Sequence, residues 1–369
     1  MAQNRRQWLA QSGLALAGLS LWGKQSLAKE FGNNNHSSYR LPGNIIKLSS
    51  NENPYGPSPK ARMAMAEAVA LSNRYPWDTT TVLREKIASI NQLKKENVLI
   101  GAGSSEILGL VAQLAALEKG NAVAADPTFR IWWTAAEKSG LEILKVPLSA
   151  DKKHDLQAML SRMNSQTRLI YLCNPNNPTG TVVDSNLLKS FIEEVSSKCL
   201  VLLDEAYIEY CGESSLCSMV SSNKKLVVAK TFSKIYGMAG ARIGYALAHP
   251  DLIQQLNKLQ PWENAGASAV SLAGAIASLD DNDFLMKSKK LNEEAKQFTI
   301  AELSKLRLPS IPSHTNFLYF SLKNYTGDYL QRMAANNIIA GRLVEPGDQW
   351  YRITIGTLDE MKHFISAIK

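Results

Sequence analysis

From residue 97 onward, short apolar runs recur along the chain, and amphipathic stretches fill most of the gaps between them. The runs are VLIGAG from residue 98, AVAADP from 122, LEILKVPL from 141, RLIYLCNP from 168, LVLLDEAY from 200, LVVAKTFS from 226 and RIGYALA from 242. Each has the length of a strand and lacks the strict alternation of a half-exposed one, as strands buried on both faces do. In the intervening stretches the period lengthens: over 105–117, Ile107, Leu108, Val111, Leu114 and Leu117 fall on one helical face. Strands alternating with helices predict an α/β fold on a mainly parallel seven-stranded sheet, covered on both sides. The seventh run follows the sixth after a short connection, which predicts an antiparallel strand there. Beyond Pro261, helical stretches over 265–279 and 284–306 give way to short strands near 316–320 and 351–355, the pattern of a smaller α+β domain. The expected division is an arm over 29–50 that joins part of the small domain, a large domain over 51–265 and a C-terminal small domain over 266–369.

Composition narrows the classes. A chain of 369 residues, 45% hydrophobic and 20% charged, can bury a large core and is not a disordered sequence. The net charge of +8 is spread along the chain; Arg5, Arg6 and Lys24 supply three of those charges within an acid-free first 28 residues, leaving +5 for the rest. That balance suits small anionic substrates and argues against a nucleic-acid partner. The N-terminus pairs Arg5 and Arg6 ahead of an apolar stretch over 14–22 and the small-x-small site Ser26-Leu27-Ala28. It resembles a twin-arginine export signal over 1–28, which implies a periplasmic protein with no stable membrane insertion after cleavage; a cytoplasmic location is the alternative. Cys173, Cys199, Cys211 and Cys217 lack metal-ligand spacing, so no metal site is expected. The first two belong with core strands, and the last two flank a polar turn across which a disulfide is one possibility.

Chemistry gathers where the apolar runs end, and in open α/β sheets ligands bind at the carboxyl ends of the strands. The first run leads into Gly101-Ala-Gly-Ser-Ser105 at a helix start, where Ser104 and Ser105 could hold a phosphate or simply cap the helix. The fourth ends in Asn174-Pro-Asn-Asn-Pro-Thr-Gly180 and the fifth in Asp204-Glu-Ala-Tyr207. An aspartate emerging from four apolar residues needs a cationic or hydrogen-bonding partner, structural or functional. The sixth opens into TFSKIYGMAGARIGY, which sets Lys234 among hydroxyls and small residues with Arg242 eight positions on.

Taken with SNENPYGPSP from residue 50, RYP from 74, DPTF from 126 and RITIG from 352, these segments resemble the aminotransferases of the fold-type I pyridoxal 5′-phosphate enzymes. The histidinol-phosphate aminotransferase branch is the most similar, and the likeness runs from about residue 45 to the C-terminus. The resemblance implies a fold-type I transferase that uses pyridoxal 5′-phosphate to move an amino group from histidinol phosphate or an amino acid to 2-oxoglutarate or a similar keto acid. It implies that Lys234 bonds to the cofactor aldehyde and then serves as general acid and base. Asp204 would pair with the pyridinium nitrogen, Asn177 and Tyr207 would hydrogen-bond the ring hydroxyl, and Phe129 would stack on the ring. Ser104, Ser105, Thr231, Ser233 and Arg242 would form the phosphate cup. Tyr75 would reach the phosphate of a second subunit, so a homodimer is expected. Arg352 would bind an anionic group of the substrate, with Asn51 in the loop that covers it.

The region from Ala340 to Trp350 aligns loosely with the family's substrate-side loop, and Arg342 sits one place from the familiar arginine. Two further classes share the fold. A decarboxylase or lyase similar to threonine-phosphate decarboxylase would use the same lysine and aspartate, and motifs alone do not separate it from a transaminase. A regulator would need a DNA-binding module, for which the residues before 45 are too few.

Overall fold

The computed structural model describes residues 45–369 apart from Ala265, Arg342 and Asp348. The signal expected over 1–28, most of the arm and Arg342 therefore lie outside the described residues. All of the described residues belong to one compact unit.

A first short strand, β1 (Ile46–Leu48), precedes helices Pro59–Ala68 and Trp77–Ile90. Then come β2 (Val98–Gly101), β3 (Asn121–Asp126), β4 (Glu142–Pro147), β5 (Thr167–Cys173), β6 (Leu200–Asp204), β7 (Leu226–Thr231) and β8 (Gly244–Ala248). These seven correspond to the seven apolar runs and form one sheet in the order β2-β8-β7-β6-β5-β3-β4. The pairs from β4 through β7 are parallel, and β8 runs antiparallel to both β7 and β2, as its short connection predicts.

Why the runs lack alternation is plain from the core. Ile170, Leu172, Val201, Leu203 and Val228 face one apolar cluster, whereas Leu169, Tyr171, Leu202, Val227 and Ala229 face another on the opposite side. Helices Ser104–Ala116, Arg130–Lys138 and Pro250–Asn257 cover the second face; Trp77–Ile90, Ser185–Val195 and Ala269–Leu279 cover the first. Helix Ser104–Ala116 buries Ile107, Leu108 and Val111 of the stripe read over 105–117; Leu114 is partly buried, and Leu117, just past the helix, is 71% exposed.

The C-terminal part is built on β9 (Ser310–Ile311), β10 (Phe317–Ser321), β11 (Ile338–Ala340), β12 (Leu343–Glu345) and β13 (Trp350–Thr354). β12-β13-β10-β9 form an antiparallel sheet, and β1 pairs in parallel with β11. Helices Asn282–Lys305, Tyr329–Ala335 and Leu358–Ile368 close a third core around Leu318, Phe320 and Phe364. The break between the helices Ala269–Leu279 and Asn282–Lys305 is made by Asp281, whose carboxylate caps the second helix at the Phe284 N–H.

All four cysteines are buried thiols. Cys211 and Cys217 do not pair: Cys211 Sγ accepts from Glu213 N at 3.3 Å, and Cys217 Sγ donates to Asn91 Oδ1 at 3.3 Å. Among the described residues no helix is long and apolar enough to cross a membrane.

Candidate active site

Sheet register places the chemistry. Asp204, the last residue of β6, lies opposite Cys173 of β5 and Ala229 of β7. Two residues beyond Ala229, Thr231 lies opposite Gly244, which lies opposite Gly101. The ends of β2, β8, β7, β6 and β5 therefore form one ledge, and the loops that leave it surround a cavity of about 500 Å³. Asn51, Ser104, Phe129, Asn177, Asp204, Tyr207, Lys234 and Arg352, eight residues marked in the sequence, all line it.

Asp204 is 2% exposed. Its Oδ2 accepts from the Tyr171 hydroxyl at 2.9 Å and its Oδ1 from Ala206 N at 3.1 Å. Burial pushes its pKa up to about 6 against those hydrogen bonds and the nearby Lys234 charge. Such a carboxylate is anionic near neutrality at a cost, and a cation entering the cavity would relieve it.

Lys234 sits in the turn after β7, closed by Gly237 N donating to Lys234 O at 2.9 Å. Gly237 has φ +70°, and a Cβ there would lie 2.1 Å from Gly56 O, so only glycine lets the two loops approach. Asn53 Nδ2 donates to Ile235 O at 2.7 Å and ties the SNENPYGPSP segment to the lysine turn. The Lys234 ammonium donates weakly to Asn51 O at 3.3 Å and lies 5.5 Å from the Tyr207 ring centre. Burial, then the Arg352 charge, lowers its pKa to about 8, with Glu52 and Asp204 opposing. An amine in that range both loses and regains a proton at physiological pH, as an acid–base group must.

The Tyr207 hydroxyl accepts from Asn51 Nδ2 at 3.0 Å and Asn177 Nδ2 at 3.2 Å. Arg352 of β13 donates through Nη1 to Asn177 Oδ1 and through Nη2 to Ser49 O, both at 2.7 Å. Its fork is thus braced by groups from the N-terminal part and from the middle of the chain. Thr354, two residues on, accepts from Asn51 N at 2.8 Å.

Beside the cavity, Gly103 precedes helix Ser104–Ala116 without a side-chain cap. Its φ is +81°, and a Cβ would meet Arg242 Nη2 at 2.4 Å; one on Gly244 would meet Ser104 N at 2.5 Å. Arg242 Nη2 donates to Ser105 Oγ at 2.9 Å, and Thr231 Oγ1 donates to Ser233 Oγ at 2.9 Å. Side-chain-free backbone, an open helix N-terminus, a guanidinium and three hydroxyl groups make a donor set that suits a phosphate dianion. The nearby Asp204 carboxylate and Lys234 amine suit a ring with a basic nitrogen and an aldehyde, so the residues fit pyridoxal 5′-phosphate.

Tyr75 does not line this cavity in its own chain. It is 70% exposed and stacks on Trp77 at 5.5 Å, with Trp262 edge-on at 6.1 Å. The reading from sequence missed Tyr171, Thr354 and Arg130. Tyr171 had a signal: a hydroxyl in the middle of an apolar strand needs a partner. Arg130, directly after Phe129, lines the same cavity.

Comparison with known proteins accords with this geometry. The family described as aminotransferase class I and II matches residues 43–368. A histidinol-phosphate aminotransferase of Moorella thermoacetica is 35% identical over 334 residues, 88% of this chain and 85% of the relative. Histidinol-phosphate aminotransferase 2 of Pseudomonas fluorescens is 36% identical over 333 residues, 89% of each chain. The crystal structure of histidinol-phosphate aminotransferase from Sinorhizobium meliloti in complex with pyridoxal-5′-phosphate superposes with a TM-score of 0.80 at 27% identity, covering 94% of this chain and 93% of that one.

Proposed function

This chain belongs to the class I and II aminotransferase family and is a pyridoxal 5′-phosphate-dependent aminotransferase, and from that premise we propose that histidinol phosphate is its amino donor and 2-oxoglutarate or a similar keto acid its acceptor. The placement of Asp204 and Lys234 in one cavity beside a glycine-lined cup supports the cofactor chemistry, and the 35–36% identity to histidinol-phosphate aminotransferases supports the donor. When bound, the cofactor supplies an electron-withdrawing ring that takes up the electron pair left as the substrate C–H proton departs.

The residues divide that work. Asp204, held by Tyr171 and Ala206 N, keeps a proton on the ring nitrogen by staying anionic beside it. Lys234 would hold the cofactor covalently and, once its amine is free again, would carry the substrate proton on Nζ, for which its lowered pKa suits it. Asn177 and Tyr207 would orient the ring, and Phe129 would stack on it. Ser104, Ser105, Thr231, Ser233 and Arg242 bind the phosphate. Arg352 receives an anionic group of the substrate through its planar fork, and Asn51 helps to close the loop above it.

The same reading includes a homodimer in which Tyr75 serves the neighbouring site, a large domain that keeps helix Ala269–Leu279 against its sheet rather than ending at 265, a small domain over the C-terminal residues beyond that helix, and twin-arginine export to the periplasm. Replacing Arg5 and Arg6 by lysine should then leave folded, cofactor-loaded protein in the cytoplasm.

Borohydride reduction and peptide mapping should place the pyridoxyl group on Lys234. Histidinol phosphate alone should convert the cofactor's visible spectrum to that of its amine form. A label on another lysine would remove the assigned roles. Conversion by aromatic amino acids but not by histidinol phosphate would reassign the donor, and carbon dioxide release without a keto acid would make the enzyme a decarboxylase.

A further inference from the structure

Arg130 has no task in the arrangement above. It opens the helix Arg130–Lys138, directly after Phe129, and lines the cavity that holds Lys234 and Arg352. Its side chain is exposed, and among the described residues its guanidinium makes no hydrogen bond or ion pair; its carbonyl alone is engaged, by Thr134 Oγ1 at 3.4 Å.

The Glu345 carboxylate, which follows the cavity-lining Leu343 and Val344, is already committed. Glu345, at the end of β12, holds Lys152 Nζ at 2.9 Å through Oε2 and accepts the Tyr319 hydroxyl at 2.5 Å through Oε1. Lys152 is seated over the Trp350 ring, and Tyr319 stacks on that ring at 5.0 Å. Burial and Glu345 raise the Tyr319 pKa while the Arg130 charge opposes them. Among the described residues, the Glu345 carboxylate is paired with Lys152, and the Arg130 guanidinium is paired with no acid. Leu343 and Val344, which lead to Glu345, give the cavity an apolar wall.

An unpaired guanidinium beside an apolar wall can accept a planar or tetrahedral oxyanion through two parallel bonds. We propose that Arg130 is a specificity-determining residue that receives the distal anionic group of the amino donor, a carboxylate or a phosphate monoester. This rests on the reading of the cavity as the substrate site of an aminotransferase and adds a second cationic anchor to Arg352.

The test compares charged and neutral donors on the cofactor-loaded enzyme: glutamate against glutamine, and histidinol phosphate against histidinol, each by the single-turnover spectral change. Arg130→Gln should lower kcat/KM for the anionic member roughly 10- to 30-fold relative to its neutral partner, and Arg130→Lys should recover part of the difference. A fall in the glutamate ratio alone identifies a carboxylate, and a fall in the histidinol phosphate ratio alone identifies a phosphate. Glutarate, which cannot react, should bind the Gln variant correspondingly more weakly by calorimetry if the group is a carboxylate. Unchanged ratios for both pairs, or an equal loss for charged and neutral donors, would overturn the assignment. Failure of the unaltered enzyme to convert any donor would remove the underlying reading and this inference with it.

Discussion

Asp204 couples function to stability through its burial. Its pKa of about 6 in the folded chain exceeds the ordinary 3.8, so the cofactor-free fold binds that proton more tightly than the unfolded chain does. The resulting stability is present below about pH 4 and is lost as the pH rises through 6, on the order of 3 kcal/mol by pH 7. Asp204→Asn, which keeps an acceptor for Tyr171, should therefore raise the melting temperature of the cofactor-free protein at pH 7 and confer much less at pH 4. The same variant should lose at least about two orders of magnitude in turnover, ~3 kcal/mol of transition-state stabilisation. Calorimetric melts at the two pH values check the first statement. An equal gain at both would show that the carboxylate is not the destabilising group.

The turn from β2 into helix Ser104–Ala116 concentrates the constraints on the phosphate cup. Gly103 there combines φ +81° with a Cβ position 2.4 Å from Arg242 Nη2. Gly103→Ala should strain the turn by about 1 kcal/mol and displace the guanidinium. Spectrophotometric titration should find pyridoxal 5′-phosphate bound about tenfold or more weakly, with pyridoxal, which has no phosphate, little affected. Equal weakening of both would mean that the turn shapes the ring site instead. Elements such as this helix were legible because thirteen residues repeat an apolar stripe several times. β1, β9, β11 and β12, two or three residues each, complete no such period and exist through their pairing alone.

On the scale of the whole molecule, Tyr75, Trp77 and Trp262 form an aromatic cluster half or more exposed on the chain surface. Large aromatics so placed fit a contact with a second copy, where they contribute area at low entropic cost. If Tyr75 completes the partner's site, Lys234→Ala and Tyr75→Ala chains, each poorly active alone, should regain activity when mixed and refolded together. Random pairing gives half mixed dimers with one intact site each, about a quarter of the unaltered activity. No recovery, with mixed dimers demonstrated by mass, would place Tyr75 in its own chain's site or outside catalysis.

Local sequence determined the longer strands and helices, since burial on one or two faces leaves a period that survives in the residues themselves. It also determined the inventory of chemistry, because Lys234, Asp204, Asn177 and Ser104 all follow apolar runs, and a parallel sheet brings such ends to one edge. Only the tertiary structure decided which groups meet. Tyr171 reaches Asp204 because β5 and β6 are neighbours in a register with Cys173 opposite Asp204. Arg352 grips Asn177 and Ser49 although it is far from both along the chain. Arg130 lines the cavity with no ion pair among the described residues, whereas Lys152 holds Glu345. Strand order and register are set by the summed packing of the whole core, to which no single segment carries the key, so contacts between distant segments leave little local trace in the sequence.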